Sequence, residues 1–281
     1  KEYRRQRQMC IRDSSYTKLE ASMLELMNSI PFYGKVFING DDKNSVRLLA
    51  KINRAICTFG LNKKNDITAK SIKYVDGKKM QFDVIFSKRT YKVCTNLLGK
   101  HNVYNILSAI SVCLHLGIPI TSAIKSLSSF FGARRRFDVY EDIFINEHKP
   151  IIIDDYGHHP TEIHSTLETI NKLYPRKKIV MIFQPHRFSR TKAHWRLFLD
   201  AFKTLDQIIL LPTYSAGEKN NSYDSSFIYK KIKNKNKSLL KSIDEVNNVL
   251  KTIDFKNSIL VLQGAGDIKD IMSIIKRNYD C

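Results

Sequence analysis

The chain reads as α/β, with antiparallel hairpins in its first part and a doubly wound, mostly parallel sheet in its second. Three observations carry this. In the second half, apolar runs at Ile151–Ile153, Ile179–Phe183, Ile208–Leu211 and Ile259–Leu262 alternate with segments of helical spacing. Residues 66–98 instead alternate in short runs, broken by turn signals at Asp76-Gly77 and Ser87-Lys88. Between the two patterns, Gly132-Ala133-Arg134-Arg135-Arg136 interrupts with glycine and charge. Strands apolar on both faces are buried parallel strands, and intervening amphipathic helices cover them.

Along the chain, Gln8-Met9-Cys10-Ile11-Arg12-Asp13-Ser14 looks like a translated library adapter, and Lys1 to Arg7 have no apolar period. Residues 1–14 are therefore read as a non-native leader and set aside, which implies a native chain extending further upstream. From Tyr16 to Ile30, Leu19, Met23, Leu26, Met27 and Ile30 recur at helical spacing until Pro31. Lys35 to Asn39 reads as a strand closed by Gly40-Asp41-Asp42, and Ala55 to Phe59 as another. Asp76-Gly77 is a type I′ candidate, since that turn needs positive φ at both central residues. His101 to Leu116 returns to helix period through Val103, Ile106, Leu107, Ile110 and Leu114, with Gly117 as its stop. A second helix follows at about Thr121 to Phe130. The basic break then marks a boundary between a domain at 15–130 and one at 131–281. In the latter, helical stripes run through Ile163/Leu167/Ile170, Trp195/Phe198/Leu199/Phe202, Val246/Val249/Leu250/Ile253 and Ile268/Ile271/Ile274/Ile275. This strand–helix alternation predicts a Rossmann-like C-terminal domain.

A hydrophobic content of 43% suits a globular core, and no run of about 18 apolar residues suggests a membrane span. The five cysteines are scattered, with no Cys-x-x-Cys pair, which argues against zinc and a disulfide framework and fits the cytoplasm. The net charge of +20 points to nucleic acid, an acidic surface or phosphorylated ligands. Lys, Asn and Ile are abundant throughout, so a compositional origin is favoured. Lys230 to Lys237 reads as a solvated segment without aromatic stacking partners. Neither nucleic acid nor membrane is expected as a partner.

The chemistry concentrates in Asp154-Asp155-Tyr156-Gly157-His158-His159-Pro160, directly after a buried strand. Pro160 suits a first helical position. Ligands of open α/β sheets bind where strands end and helices begin. A plain strand-to-helix turn capped by its polar residues is the alternative. The other strands end in polar loops too: Gln184 to Thr191, Pro212 to Glu218 and Gln263 to Asp267. A parallel sheet puts all of them on one edge. Arg187 and Arg190 beside a helix N-terminus would hold a phosphate or carboxylate. Gly264-Ala265-Gly266 fits close packing as well as a ligand. Asn102 and Asn105, three apart, face one side of a helix and suit a purine edge or phosphate; capping by Asn102 is equally compatible. Arg136 beside Phe137 reaches a transferring phosphoryl group or closes a linker ion pair.

These motifs occur in a fixed order: Leu98-Gly99-Lys100-His101-Asn102-x-x-Asn105, Gly132-x-x-Arg135-Arg136-Phe137, Asp154 to Pro160, Phe183 to Thr191, Tyr214-x-Ala216-Gly217-Glu218, and Gly264-Ala265-Gly266-Asp267. Together with Ser29-Ile30-Pro31-Phe32-Tyr33-Gly34, the set closely resembles the Mur ligase family from about residue 15 onward. The resemblance implies that residues 15–130 are a partial central ATP-binding domain and 131–281 the family's C-terminal domain. It implies ATP-dependent joining of L-alanine to the lactyl carboxylate of UDP-N-acetylmuramate through an acyl phosphate, in peptidoglycan precursor synthesis. Asn102, Asn105, Arg136 and Asp155 would serve ATP, with Arg136 by the γ-phosphate and Asp155 by the ribose. Tyr156, His158, His186, Arg187 and Arg190 would face the muramyl substrate and amino acid. Arg136, His158 and Arg187 would carry catalysis. A related ligase, adding a preformed tripeptide to the same sugar, would differ at Tyr156-Gly157 and His186-Arg187. A non-catalytic module holding a phosphorylated ligand is the alternative from another class.

Where the family has Pro-Gly-Arg, this chain has Leu98-Gly99-Lys100, and no Gly-x-x-x-x-Gly-Lys-[Ser/Thr] loop occurs in its 281 residues. That loop's amides and lysine cradle β- and γ-phosphates. The ligands for Mg2+ are likewise expected upstream. These 281 residues alone are therefore predicted not to catalyse ligation.

Overall fold

A computed structural model describes residues 16–279; the leader read at 1–14 lies outside the described residues. The chain divides between Phe131 and Gly132, and each unit has its own sheet.

The first unit's sheet runs β1 (Lys35–Asn39), β2 (Ala55–Gly60), β3 (Ile67–Val75), β4 (Lys79–Phe86) and β5 (Arg89–Thr95), in spatial order. Strands β1 to β3 are parallel, and β3 to β5 form antiparallel hairpins. Asp76 and Gly77 both take positive φ, as do Ser87 and Lys88, so both turns coil with the strand twist. Helices α1 (Tyr16–Ser29), α2 (Lys43–Leu48), α3 (Lys100–His115) and α4 (Ile120–Ser128) complete the unit. Two sequence readings change here. The packed face of α1 is Leu24, Met27 and Ile30 against Val36, Ile38, Leu48 and Ile52, while Met23 and Leu26 are exposed. This helix is apolar on more than one side, so periodicity alone does not choose the buried stripe. Helix α2 is new: it is too short for a periodic signal, and Asp42 starts it by accepting from the Ser45 amide at 3.0 Å.

The second unit's sheet holds β6 (Asp138–Tyr140), β7 (Ile151–Asp155), β8 (Lys178–Phe183), β9 (Gln207–Leu210), β10 (Lys237–Leu239) and β11 (Ser258–Gln263). Their spatial order is β10-β9-β8-β11-β7-β6, parallel except for β6 against β7. Helices α5 (Pro160–Leu173), α6 (Phe188–Ala201), α7 (Ser225–Lys231), α8 (Val246–Leu250) and α9 (Ile271–Tyr279) flank it. Its core interleaves sheet residues such as Ile152, Val180, Ile209 and Leu260 with Val246, Leu250, Ile271 and Ile275. Strands β6 and β10 are not legible in the sequence, because three residues give no pattern. The lysine-rich stretch is structured rather than uniformly solvated. Lys230 and Lys231 end α7, Ile232 is buried, and the Lys237 ammonium donates to the Tyr229 and Ile232 carbonyls at 3.0 and 2.7 Å.

The last strand, β11, inserts between β7 and β8. Gln263 is level with Asp155 on one side and Phe183 on the other. The loops after β7, β8, β9 and β11 therefore leave along one edge.

A candidate active site on the sheet edge of the second unit

Asp155 ends β7 and organises its loop. One carboxylate oxygen accepts from the Phe137 amide at 3.0 Å; the other accepts from the Gly157 amide at 2.8 Å and Gln263 Nε2 at 2.7 Å. Gln263 also donates to the Gly157 carbonyl at 2.8 Å. A Cβ on Gly157 would lie 2.5 Å from Gln263 Nε2 and 2.6 Å from Asp155 Oδ1, so only glycine passes between them. Asp154, also buried, takes both contacts from Arg135 Nε at 3.0 and 3.1 Å. Burial lifts the Asp154 carboxyl above its ordinary range, with Arg135 acting against that lift. Arg135 further ties the β11 loop by donating to the Gly264 carbonyl at 2.8 Å.

Beyond this frame stands a ring of aromatic and basic side chains. Tyr156 is exposed, with the Arg135 and Arg136 guanidiniums 5.8 and 5.4 Å from its ring centroid. Arg136 also lies 3.7 Å from Glu162. His158 meets Tyr156 edge-on at 5.4 Å and His186 at 5.2 Å between centroids. His186 stacks on Tyr214 at 5.4 Å, because an isolated parallel bridge joins the two residues beyond β8 and β9. Arg190 Nη1 donates to His186 Nδ1 at 3.1 Å and to its carbonyl at 2.9 Å. Arg187 starts α6 at φ 71°, a left-handed conformation held by its amide donating to the Tyr214 carbonyl at 2.8 Å.

The amino end of α6 carries a protein carboxylate. Glu218 accepts from the Ser189 amide at 3.0 Å and its hydroxyl at 2.5 Å, and lies 3.9 Å from Arg187. The anion-holding role read for this terminus is therefore shared with Glu218. At the start of α5, Glu162 accepts from the amides of His158 and His159 at 2.8 and 2.9 Å. Burial raises the Glu162 pKa, but these bonds and the nearby cations outweigh it and hold the group ionised. Burial and then neighbouring cations push the histidines the other way. His158, His159 and His194 fall below the ordinary imidazole value, and His186 drops to about 4. At neutral pH the edge presents neutral imidazoles among cationic guanidiniums.

Of the residues singled out from sequence, Arg136, Asp155, Tyr156, His158, His186, Arg187 and Arg190 all belong to this edge. Asn102 and Asn105 belong to the first unit. Asn102 donates to the Leu98 carbonyl at 2.7 Å and accepts from Asn105 at 3.1 Å, so it caps nothing and the two amides form one polar pair. Sequence reasoning read Gln263 only as the first residue of a polar loop and missed Glu162. A capping signature, a polar residue three before Glu162, was available for the latter. Gln263 carried no local signal of its bond to Asp155, 108 positions away. Among the described residues, no group of three or more His, Cys, Asp or Glu side chains could hold a metal, and no helix is long and apolar enough to cross a membrane.

A mostly parallel sheet whose strand ends gather arginines, imidazoles and a capped helix terminus defines an α/β protein with a basic carboxyl edge, the place where open α/β sheets bind ligands. Sequence comparison then gives the family. Residues 14–113 match the Mur ligase middle domain, and residues 135–266 match the Mur ligase, glutamate ligase domain. The chain belongs to the Mur ligase family. It is 37% identical over 277 residues to the UDP-N-acetylmuramate–L-alanine ligase of Vesicomyosocius okutanii, covering 96% of this chain and 59% of that protein. It is 37% identical to the same-named ligase of Ruthia magnifica, covering 95% of this chain and 58% of that one. The chain thus spans somewhat more than half the length of these relatives. The crystal structure of the UDP-N-acetylmuramate-alanine ligase from Thermotoga maritima shares the fold, with a TM-score of 0.72 and 24% identity over 94% of this chain and 55% of that one.

Proposed function

We propose that this chain is the part of an ATP-dependent ligase that joins L-alanine to the lactyl carboxylate of UDP-N-acetylmuramate in peptidoglycan precursor synthesis, within the cytoplasm. The family membership and the names of the relatives support it. The observation that carries it is the edge itself, with Arg136, Arg187 and Arg190 beside neutral His158 and His186. A carboxylate would have to expel oxide, and its acid hydroxide, and both are poor leaving groups. Phosphorylation by ATP makes an acyl phosphate whose leaving group is phosphate. An amine then displaces it without a protein nucleophile, so positioning and charge stabilisation dominate.

Arg187 and Arg190 suit the carboxylates, and Arg136 on the exposed face of Tyr156 suits a phosphoryl group. Tyr156, His158 and His186 line the substrate side. Asp155 accepts three hydrogen bonds, and a carboxylate has about four acceptor positions, so one remains for a ribose hydroxyl. Asn102 and Asn105 offer an amide pair for the nucleotide. Among the described residues no group of three or more His, Cys, Asp or Glu side chains could hold a metal, so the ligands for Mg2+ are assigned to the portion of the relatives that this chain does not span. The domain assignment is 15–130 as a partial ATP-binding domain and 131–281 as the C-terminal domain.

The test is alanine-dependent phosphate release from ATP with UDP-N-acetylmuramate and Mg2+ present. It is run on the 281-residue chain and on a chimera adding the portion of the Vesicomyosocius okutanii ligase that this chain does not span. The chimera should turn over and lose about 100-fold or more on Arg187→Ala; the 281-residue chain alone should be silent. Phosphate release indifferent to alanine would count against the reading and favour a module that only holds a phosphorylated ligand.

A further inference from the structure

His158 and His186 sit ring to ring, yet their hydrogen bonds lock them in opposite tautomers. His158 Nδ1 lies 3.1 Å from the Tyr156 carbonyl. A carbonyl only accepts, so this nitrogen carries the proton and Nε2 carries the lone pair. His186 Nδ1 lies 3.1 Å from Arg190 Nη1. A guanidinium only donates, so here Nδ1 carries the lone pair and Nε2 the proton. The backbone reinforces both locks. The amide of His158 is held by Glu162 at 2.8 Å, and the carbonyl of His186 takes a second bond from Arg190 at 2.9 Å. His186 is further fixed by stacking on Tyr214, with 21° between the rings. Besides each other, the charged and titratable groups around His158 are Glu162, Arg190, Arg136 and Tyr156, and those around His186 are Arg190, Arg187, Glu218 and Tyr214.

An amino acid arrives as an ammonium ion, which has no lone pair with which to attack. We propose that His158 Nε2 takes the proton from the incoming ammonium group, while His186, through its Nε2–H, donates to an oxygen of the acyl group being attacked. This rests on the ligase reading above and adds to it a direction of proton flow. The nitrogen lone pair, freed by transfer of one proton to His158 Nε2, forms the C–N bond. The C–O bond to phosphate breaks, and phosphate departs with that electron pair. The amide nitrogen loses its second proton to solvent or to the departing phosphate. The imidazolium of His158 returns its proton to water. The opposite tautomers keep the two jobs apart: a ring that accepts cannot be confused with one that donates. Arg190 is here a positioning residue for His186.

The geometry is read directly by 15N–1H correlation spectra of the histidine rings in the 281-residue chain at pH 7.5. His158 should show a protonated Nδ1 and His186 a protonated Nε2. Arg190→Gln should release His186 to a mixture of tautomers while His158 keeps its own. A protonated Nε2 on neutral His158, or an imidazolium at either ring, overturns the inference. The role is read in the active chimera by replacing alanine with hydroxylamine, which is already unprotonated at neutral pH. His158→Gln should lower alanine ligation at least 30-fold more than it lowers hydroxamate formation from the same acyl phosphate. Equal loss with both nucleophiles, or no loss with alanine, overturns the proton-acceptor role. A chimera without any alanine-dependent turnover would defeat the ligase reading instead, and the ring spectra would still decide the tautomers.

Discussion

Two Asp-Asp pairs stand at or just beyond the ends of parallel strands, one in each unit. They are built alike and lead to different ends. In the first unit, Asp42 starts a helix and Asp41 gathers a neighbouring loop. Asp41 accepts from the amides of Leu61 and Asn62, from the Asn65 amide group and from the Tyr104 hydroxyl, at 2.5 to 3.1 Å. In the second unit, Asp154 anchors Arg135 and Asp155 gathers Phe137, Gly157 and Gln263. Each gathering carboxylate also needs a glycine beside it. A Cβ on Gly60 would lie 2.6 Å from Asp41, as one on Gly157 would from Asp155. The two pairs differ in the residues that come next along the chain. After Asp41-Asp42 the chain enters a short helix whose polar groups satisfy one another. After Asp154-Asp155 it delivers Tyr156 and His158 to an edge lined by arginines. The acidic pair is thus an architectural device in both units, and what differs is the set of side chains it puts in place.

The sharpest way to break this parallel is to remove the gathering carboxylates. Asp155→Ala leaves three donors in a buried site without their acceptor, and should cost the second unit about 3–4 kcal/mol in urea unfolding. Asp41→Ala, at a half-buried site that water reaches, should cost the first unit about 1–2 kcal/mol. Equal losses would show that burial does not separate the two. The glycines come next. Gly157→Ala and Gly60→Ala should each destabilise by about 2 kcal/mol, since the new methyl meets a hydrogen-bonded carboxylate. Gly77→Ala has open space around it but a φ of +65°, and should lose only about 1 kcal/mol in the same measurement.

Acid should distinguish the units more gently. His186 titrates near 6.5 when unfolded and at about 4 when folded. Between those values the unfolded chain binds more protons, so folding stability falls as pH drops through that window and is fully present above it. His158, His159 and His194 shift in the same direction. Thermal melts from pH 7.5 to 4 should lower the second unit's transition more than the first's. His186→Asn should flatten part of that slope. A first-unit transition that falls equally would remove the distinction.

Much of the molecule is legible in its residues alone. The four apolar strand runs, the two hairpin turns and the break before the second unit all rest on local patterns, and local patterns survive folding. Six candidate residues meet on one edge because parallel strands leave no other place for their loops, and Arg136 joins them because the antiparallel β6 begins beside the end of β7. The features that stay hidden are either too short or too remote. Strands β6 and β10 have three residues each. The bond from Gln263 to Asp155 joins positions 108 apart, and no sequence window spans that. The buried stripe of α1 escapes periodicity because several of its sides are apolar. The commitment of the α6 terminus to Glu218 depends on a loop that follows the next strand. Tautomers, too, belong to partners rather than to the histidines themselves.

The place of β11 has one more consequence. Of the six strands in its sheet this one is synthesised last, yet it lies inside the sheet, between two strands made about 80 and 110 residues earlier. Until it arrives, β7 and β8 have no common neighbour to hold them in register, and the loop after β7 lacks the amide group that closes it. Long-range pairing of this kind is slow to form and exposes apolar edges while it waits. A nascent chain stopped before β11 therefore lacks Gln263, and with it the bonds that tie Asp155 to the Gly157 carbonyl. The edge that gathers these arginines and imidazoles is thus framed in one late event, after every other strand of its sheet has been made.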